Sequence, residues 1–168
     1  MEVNIRECTD ADYDACRALW VELTQHHRDI YNDQSIGGDD PGAEIDDHLK
    51  DANRAITWVA EREGVVLGFC SLNAGQEGAE IDPVVVTANE RSKGIGRALL
   101  ETAIEEAKAR GMNSVSIQPV ARNVDAMRLY RRMGFRILGH IDMTLDLQNR
   151  TDREWKTGLT VHGEEYVY

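Results

Sequence analysis

Residues 91–97 read Arg-Ser-Lys-Gly-Ile-Gly-Arg, between the apolar run Val84-Val85-Val86 and an amphipathic stretch that opens at Gly94. Glycines at a strand-to-helix junction let the backbone turn tightly and aim successive N–H groups at one point. The helix N-terminus adds the positive end of its dipole. Arg91, Lys93 and Arg97 add full positive charge. Together these suit a pyrophosphate, although Gly-x-Gly alone also fits a plain strand-to-helix turn. Two other phosphate loops are excluded. A dinucleotide fingerprint needs glycine or alanine where Leu99 stands, and a Walker A loop needs Gly-Lys-Ser/Thr where Gly96 is followed by Arg97-Ala98. Two carboxylates, Glu80 and Asp82, lie on the strand that leads into the loop, and a spacing of two puts them on one face of it. Pro83 removes a ladder donor there and marks a bulge or an edge.

The elements that must hold these groups show in the periodicity. Val3 to Arg6 alternates as a short strand, and Thr9 or Asp10 can cap a helix from about Ala11 to Gln25. Residues 32–42 read as a polar loop and 43–50 as a short helix. Strands at 56–60 and 65–72 flank the turn Glu61-Arg62-Glu63-Gly64 and predict a β-hairpin, and a third strand runs from Ala79 to Thr87. A helix over 94–110 turns Leu99, Leu100, Ala103, Ile104 and Ala107 inward and ends at Gly111. A strand at 114–120, a helix at 123–133 capped by Asn123 and closed by Gly134, a long strand at 136–147, a loop at 149–158 and a last strand within 159–168 complete the chain. Two β-α-β units after a strand meander predict a mixed α/β sheet with helices on both faces, in a single domain spanning residues 1–168.

Composition narrows the function classes. Apolar residues at 42% and charged residues at 29% allow a packed core without staples. The three cysteines are odd in number and none has CxxC spacing, so neither a disulfide framework nor a metal site is expected, and reduced thiols in a cytoplasm are the simplest reading. Met1 to Arg6 has no basic stretch before an apolar run, and no run reaches the roughly 20 apolar residues of a membrane helix, so neither a secretory leader nor a membrane partner is expected. The net charge of −11 divides unevenly. Residues 1–90 hold 6 basic and 20 acidic side chains, whereas residues 91–136 hold 10 and 4. A nucleic-acid partner is not expected from so acidic a chain. The split suits an anion at 91–136 and a cation on the acidic remainder, or acids that serve only solubility.

Val86 to Leu100 resembles the acyl-CoA motif of the GNAT superfamily of N-acetyltransferases, Gln/Arg-x-x-Gly-x-Gly/Ala opening a helix. A second motif of that family, Asn-x-x-Ala-x-x-Leu-Tyr-x-x-x-Gly-Phe, is matched by Asn123, Ala126, Leu129, Tyr130, Gly134 and Phe135. The strong match covers residues 79–147. The hairpin before it agrees in arrangement, and the N-terminal third has only a generic similarity. The resemblance implies a mixed, mostly antiparallel sheet with a splayed central pair of parallel strands. It implies acetyl-CoA as co-substrate, its pantetheine arm paired with the backbones of Val84, Val85 and Val86 and contacted by Asn123. The pyrophosphate would lie on Arg91, Ser92, Lys93, Gly94, Ile95, Gly96 and Arg97.

An amine acceptor has a pKa of roughly 10.4 and must lose a proton before it can attack. By resemblance Glu80 stands where some members of the family hold their general base, and Asp82 is the alternative. Tyr130 matches the tyrosine that protonates the departing thiolate, and a backbone N–H of Val85 or Val86 could polarise the thioester carbonyl. Cys70 reads as a core thiol and His26-His27 as surface or cleft residues, while Trp20, Tyr31 and Trp155 bound the acceptor pocket or simply pack. The acidic cluster Asp33, Asp39, Asp40, Glu44, Asp46, Asp47 and Asp51 favours a cationic acceptor: a polyamine, an aminoglycoside, a basic peptide N-terminus or a lysine. The expectation is an acetyl-CoA-dependent N-acetyltransferase working by direct attack in a ternary complex. A non-catalytic acyl-CoA sensor is the alternative, and a homodimer is left open.

Overall fold

A computed structural model of the chain describes residues 2–50, 55–76, 78–147 and 154–168. Strand β1 (Asn4–Glu7) leads through a 3-10 turn into helix α1 (Tyr13–Tyr31), and α2 (Ala43–Lys50) follows. Strands β2 (Ala55–Arg62), β3 (Val65–Ala74) and β4 (Gly78–Val86) form a meander, then come α3 (Ile95–Ala109), β5 (Ser114–Ile117) and α4 (Val124–Met133). The chain closes with β6 (Leu159–Val161) and β7 (Glu164–Tyr166). The main sheet has the order β1-β2-β3-β4-β5, antiparallel except for the parallel pair β4-β5.

Two apolar layers cover the sheet. On one face α3 sets Leu99, Leu100, Ala103 and Ala107 against Trp58, Cys70, Leu72, Ala79 and Ile81, with Leu129, Tyr130 and Phe135 from α4 and its end beside them. On the other face Cys16 and Leu19 of α1 and Ile45 of α2 pack on Val59, Phe69 and Val85. Helices on both faces of a mixed sheet are as expected. Helix α1 runs six residues further than the periodicity predicts and stops where Asn32 takes a left-handed φ of 50°. Its start is tied down by Asp12, which accepts from Nη1 and Nη2 of Arg6 at 2.7 and 2.8 Å and from the Thr9 amide at 2.8 Å.

The centre of the sheet is irregular in a way that matters. Leu72 pairs with Ile81 and Cys70 with Val84, so Ser71 faces two residues of β4, Asp82 and Pro83. That extra residue is a β-bulge. It keeps Ala79 and Ile81 before it, and Val84 and Val86 after it, on the α3 face, and turns Val85 to the α1 face. Asp82 and Pro83 sit opposite Ser71, between Cys70 and Leu72 of the α3 face. Beyond the bulge β4 still runs close against β3, because a Cβ on Gly68 would lie 2.5 Å from the Val85 carbonyl oxygen. On its other side β4 pairs with β5 only from Gly78 to Ile81. The two parallel strands then separate, which is why β5 ends at Ile117 rather than at Val120.

One expectation is overturned. Residues 136–147 form no strand. Their alternating pattern is real, but strand geometry is stable only with a ladder partner, and this segment has none among the described residues. The predicted last strand is instead a separate hairpin, β6-β7. Of the loop expected at 149–158, residues 149–153 lie outside the described residues, and 154–158 have no regular secondary structure.

Candidate active site

The phosphate loop is built at the junction that the sequence marks. Gly94 sits at φ 92°, a left-handed conformation that a side chain resists, and N-caps α3. The first amide of α3 bonded within the helix is that of Ala98, to the Gly94 carbonyl, which leaves the N–H groups of Ile95, Gly96 and Arg97 pointing out of the helix end. Ser92 also takes a positive φ, of 61°. These amides and the dipole converge on one small volume.

The basic side chains of the loop are already engaged. Arg91 folds back, its Nε donating to the Val86 carbonyl at 3.0 Å, and its amide donates to Ala88 at 3.3 Å. It therefore braces the loop from behind. Lys93 contacts Glu90 at 3.3 Å and Arg97 contacts Glu101 at 2.8 Å. Exposed pairs of this kind are worth about 0–1 kcal/mol, so both cations can turn to a phosphate at little cost.

Glu22 of α1 escaped the sequence reading. Its carboxylate accepts from the Thr87 hydroxyl at 2.9 Å and from the Ala88 amide, and lies 3.6 Å from Arg91 Nη2. It caps the 3-10 turn Ala88–Glu90 that enters the phosphate loop. No motif signals it, because its partners are 65 and 66 residues away.

Below the loop, the divergence of β4 and β5 opens the unpaired edge of Val84, Val85 and Val86. Asn123 stands at the start of α4, where its Oδ1 accepts from the Ala126 amide at 3.2 Å. The cap uses the oxygen and leaves the amide nitrogen of the same side chain.

The titratable groups divide between the two faces. Glu80 is half-buried and its Oε1 accepts from Gln118 Nε2 at 2.6 Å, across the parallel pair. Because Ala79 and Ile81 face α3, Glu80 faces the α1 side. Asp82 in the bulge is open to solvent on one side, yet desolvation raises its pKa, and Glu80 and Glu44 raise it further while His48 opposes them. Tyr130 packs edge-on against Phe135 at 6.2 Å. Burial pushes its hydroxyl above the usual tyrosine range, and Cys70 and Asp82 add to that shift. The charges of Glu80, Glu44 and His48 thus act on Asp82, and that of Asp82 on Tyr130. Burial pushes the Cys70 thiol up to about 12, as suits a core residue. His26 and His27 are depressed by burial and lie within the field of Arg91, so they belong to the phosphate-loop end of α1.

Three members of the acidic cluster are engaged within the chain. Arg17 binds Asp40 at 2.6 Å and Asp46 at 3.0 Å, and Asp33 holds Ser35. Glu44 is the member whose charge is felt by Asp82, and Asp51 lies outside the described residues. Trp20 packs in the α1 layer, Tyr31 lies under the Arg122 guanidinium at 4.7 Å, and Trp155 is exposed. Among the described residues no cluster of metal-ligating side chains occurs, and no helix is long and apolar enough to cross a membrane.

Comparison with known proteins gives a consistent picture. The sequence profile of the Acetyltransferase (GNAT) family matches residues 20–135. The L-methionine sulfoximine/L-methionine sulfone acetyltransferase of Pseudomonas aeruginosa is 27% identical over 146 residues, 84% of each chain. The streptothricin acetyltransferase of Streptomyces lavendulae is 31% identical over 105 residues, 60% of this chain and 56% of that one. Among solved structures, a ribosomal-protein-alanine N-acetyltransferase from Brucella melitensis superposes with a TM-score of 0.65 at 30% identity, covering 81% of this chain and 86% of that one.

Proposed function

The chain belongs to the acetyltransferase (GNAT) family, and from that premise we propose that it carries acetyl from acetyl-CoA to a primary amine by direct attack in a ternary complex. The observation that carries this reading is the divergence of β4 and β5 beyond Ile81, which leaves a backbone edge running into a loop of outward-pointing amides. The pantetheine arm pairs with that edge at Val84–Val86, beside Asn123. The pyrophosphate lies on the amides from Ser92 to Arg97, with Lys93 and Arg97 swinging in, and Arg91 holds the loop in shape.

The acceptor approaches the bulge as an ammonium ion, its pKa roughly 10.4. Glu44, Glu80 and Asp82 supply negative charge there. Asp82 takes the proton, directly or through a water. Its desolvated carboxylate is a stronger base than an exposed one, and it lies within the field of Tyr130. Glu80, the residue favoured by the sequence reading, orients or shares the charge from its contact with Gln118. The freed amine attacks the thioester carbonyl, a backbone N–H of the open edge of β4 stabilises the oxyanion, and as the C–S bond breaks Tyr130 gives its proton to the departing thiolate while the acylated nitrogen loses its extra proton, which restores Tyr130 and leaves the neutral amide. A small cationic amine is the acceptor class. The relatives that act on methionine sulfone and on streptothricin support a small-molecule acceptor, and its positive charge rests on the carboxylates alone. A reducing cytoplasm suits the three free thiols.

The test is acetyl-CoA consumption over a panel of cationic amines, with each product identified by mass. One added acetyl on one amine class is the expected result. Tight acetyl-CoA binding with no acetylated product across the panel would replace transfer with an acyl-CoA-sensing role.

A further inference from the structure

Helix α1 lies across the place where β4 and β5 part. At one point Glu22 accepts from the Thr87 hydroxyl at 2.9 Å and from the Ala88 amide, just past the end of β4. Further along, the Ile30 carbonyl accepts from Arg122 Nη1 at 3.3 Å, and the Tyr31 ring lies 4.7 Å from the same guanidinium, in the segment between β5 and α4. The two strands pair only as far as Ile81 and Ile117, so the helix is tied to both sides of the gap. Glu22 and Ile30 are about 12 Å apart along the helix axis, at 1.5 Å per residue.

His26 stands midway between these anchors, four residues after Glu22 and four before Ile30. Residues four apart share a helix face, which puts its ring on the flank that Glu22 turns to the phosphate loop. Side chains on a helix also lean toward its N-terminus. The imidazole is therefore carried back toward Glu22, whose carboxylate lies 3.6 Å from Arg91. The ring is half-buried, and that of His27 is 6.2 Å away between centroids. The transfer steps leave it without a role.

The charges around His26 oppose one another. Burial and the Arg91 guanidinium disfavour its protonated form, whereas Asp29 and Glu22 of α1 and Asp125 at the start of α4 favour it. The first two prevail and hold the ring below the usual histidine range, so it is neutral at physiological pH. The charge of His26 in turn disfavours one on His27, so the pair takes up one proton rather than two. A diphosphate on the loop amides brings negative charge beside Arg91 and cancels the field that keeps the proton off.

We propose that His26 is a cofactor-binding residue, its ring facing the gap and donating, as the imidazolium, to a diphosphate oxygen of acetyl-CoA seated on the loop amides. The proposal rests on the loop being the acetyl-CoA site. It makes binding proton-linked, because each cofactor that docks near neutral pH draws a proton from solvent onto His26. Affinity rises as pH falls through the raised value of the complex and levels off below the depressed value of the free protein. An opposite charge within about 4–6 Å moves a titration by about 1–3 pH units. Solvent on one side of the ring puts His26 at the low end, so the gain in affinity is about tenfold.

The experiment is calorimetric titration of the whole protein with acetyl-CoA from about pH 5.5 to about pH 8.5, the range of a histidine. Each pH is run in buffers of different ionisation enthalpy, whose difference in heat counts the protons taken up. Wild type should take up a large fraction of a proton near neutrality and gain about tenfold in affinity across the range. His26→Gln keeps a donor but no titrating ring. It should bind like wild type at the alkaline end and lose both the gain and the uptake. His27→Gln should keep both. Protonation of the cofactor's own phosphate, with a pKa of about 6, is common to all three proteins and cancels in the comparison. In wild type the His26 ring signal, assigned by its absence from His26→Gln, should titrate about one pH unit higher once acetyl-CoA is added. Binding without proton uptake overturns the proposal while the transferase reading stands, and so does uptake that His26→Gln leaves unchanged. No acetyl-CoA binding at any pH overturns both.

Discussion

Replacing Tyr130 with Phe removes one oxygen from a side chain whose ring is held by packing. The ring keeps its edge-on contact with Phe135 at 6.2 Å and its place in the α3 layer. Its hydroxyl has no hydrogen-bond partner among the described residues, so the change breaks no bond of the fold. Stability should move by less than about 0.5 kcal/mol. Catalysis should not be spared. A positioned general acid contributes about 10²–10⁴-fold. The leaving thiolate, from a thiol of pKa about 8.5, departs more readily than an amine or alkoxide, which places the loss at the lower end. The expected fall in kcat is about 100-fold, or roughly 2.7 kcal/mol in the barrier. Acetyl-CoA affinity should stay within about twofold, since the contact matters only as the thiolate forms. Burial raises the Tyr130 pKa, and an acid works while protonated, so kcat should hold at alkaline pH up to beyond the ordinary tyrosine value of about 10. Initial rates, acetyl-CoA titration and a thermal melt on the same preparation separate the three effects. Y130F with near-normal kcat and an unchanged melt would refute the acid role, and a large fall in acetyl-CoA affinity would show that the hydroxyl binds rather than reacts.

Four further substitutions probe other contacts. Asp82→Asn should abolish the acidic limb of kcat/KM, which is expected above the ordinary carboxylate range because desolvation raises this pKa; if Glu80→Gln removes that limb and Asp82→Asn does not, the base is Glu80. Glu22→Gln should weaken acetyl-CoA binding about tenfold, roughly 1.4 kcal/mol, with kcat nearly unchanged, because the carboxylate holds Thr87 and Ala88 at the entry to the phosphate loop. Equal affinity by calorimetry would make it a surface cap only. Asp12→Asn should cost about 2–3 kcal/mol of stability in urea melts, the breaking of a buried ion pair discounted for the partial exposure of Arg6. The Asp12 carboxyl is held below its usual range by Arg6 and Thr9, so its contribution is complete above its unfolded pKa of about 3.9 and is lost as pH falls below that. Wild type should therefore lose its margin over the mutant at low pH, and a constant margin would exclude the linkage.

What the sequence determined by itself is local. The left-handed turn at Gly94, the inward face of α3, the Asn123 cap and the β2-β3 hairpin depend on residues a few places apart, whose conformational preferences act wherever the chain lies. The phosphate loop was legible for that reason, since its donors are consecutive amides. Tertiary structure decided what depends on distant partners. Asp82 and Pro83 form a bulge because β4 is paired with β3 opposite Ser71, and desolvation of the Asp82 carboxylate follows from the packing around it. Glu22 became part of the loop across 65 residues. Residues 136–147 carry a strand's alternation, but a strand is stable only through a ladder that another segment supplies, and no property of those residues alone says whether one does.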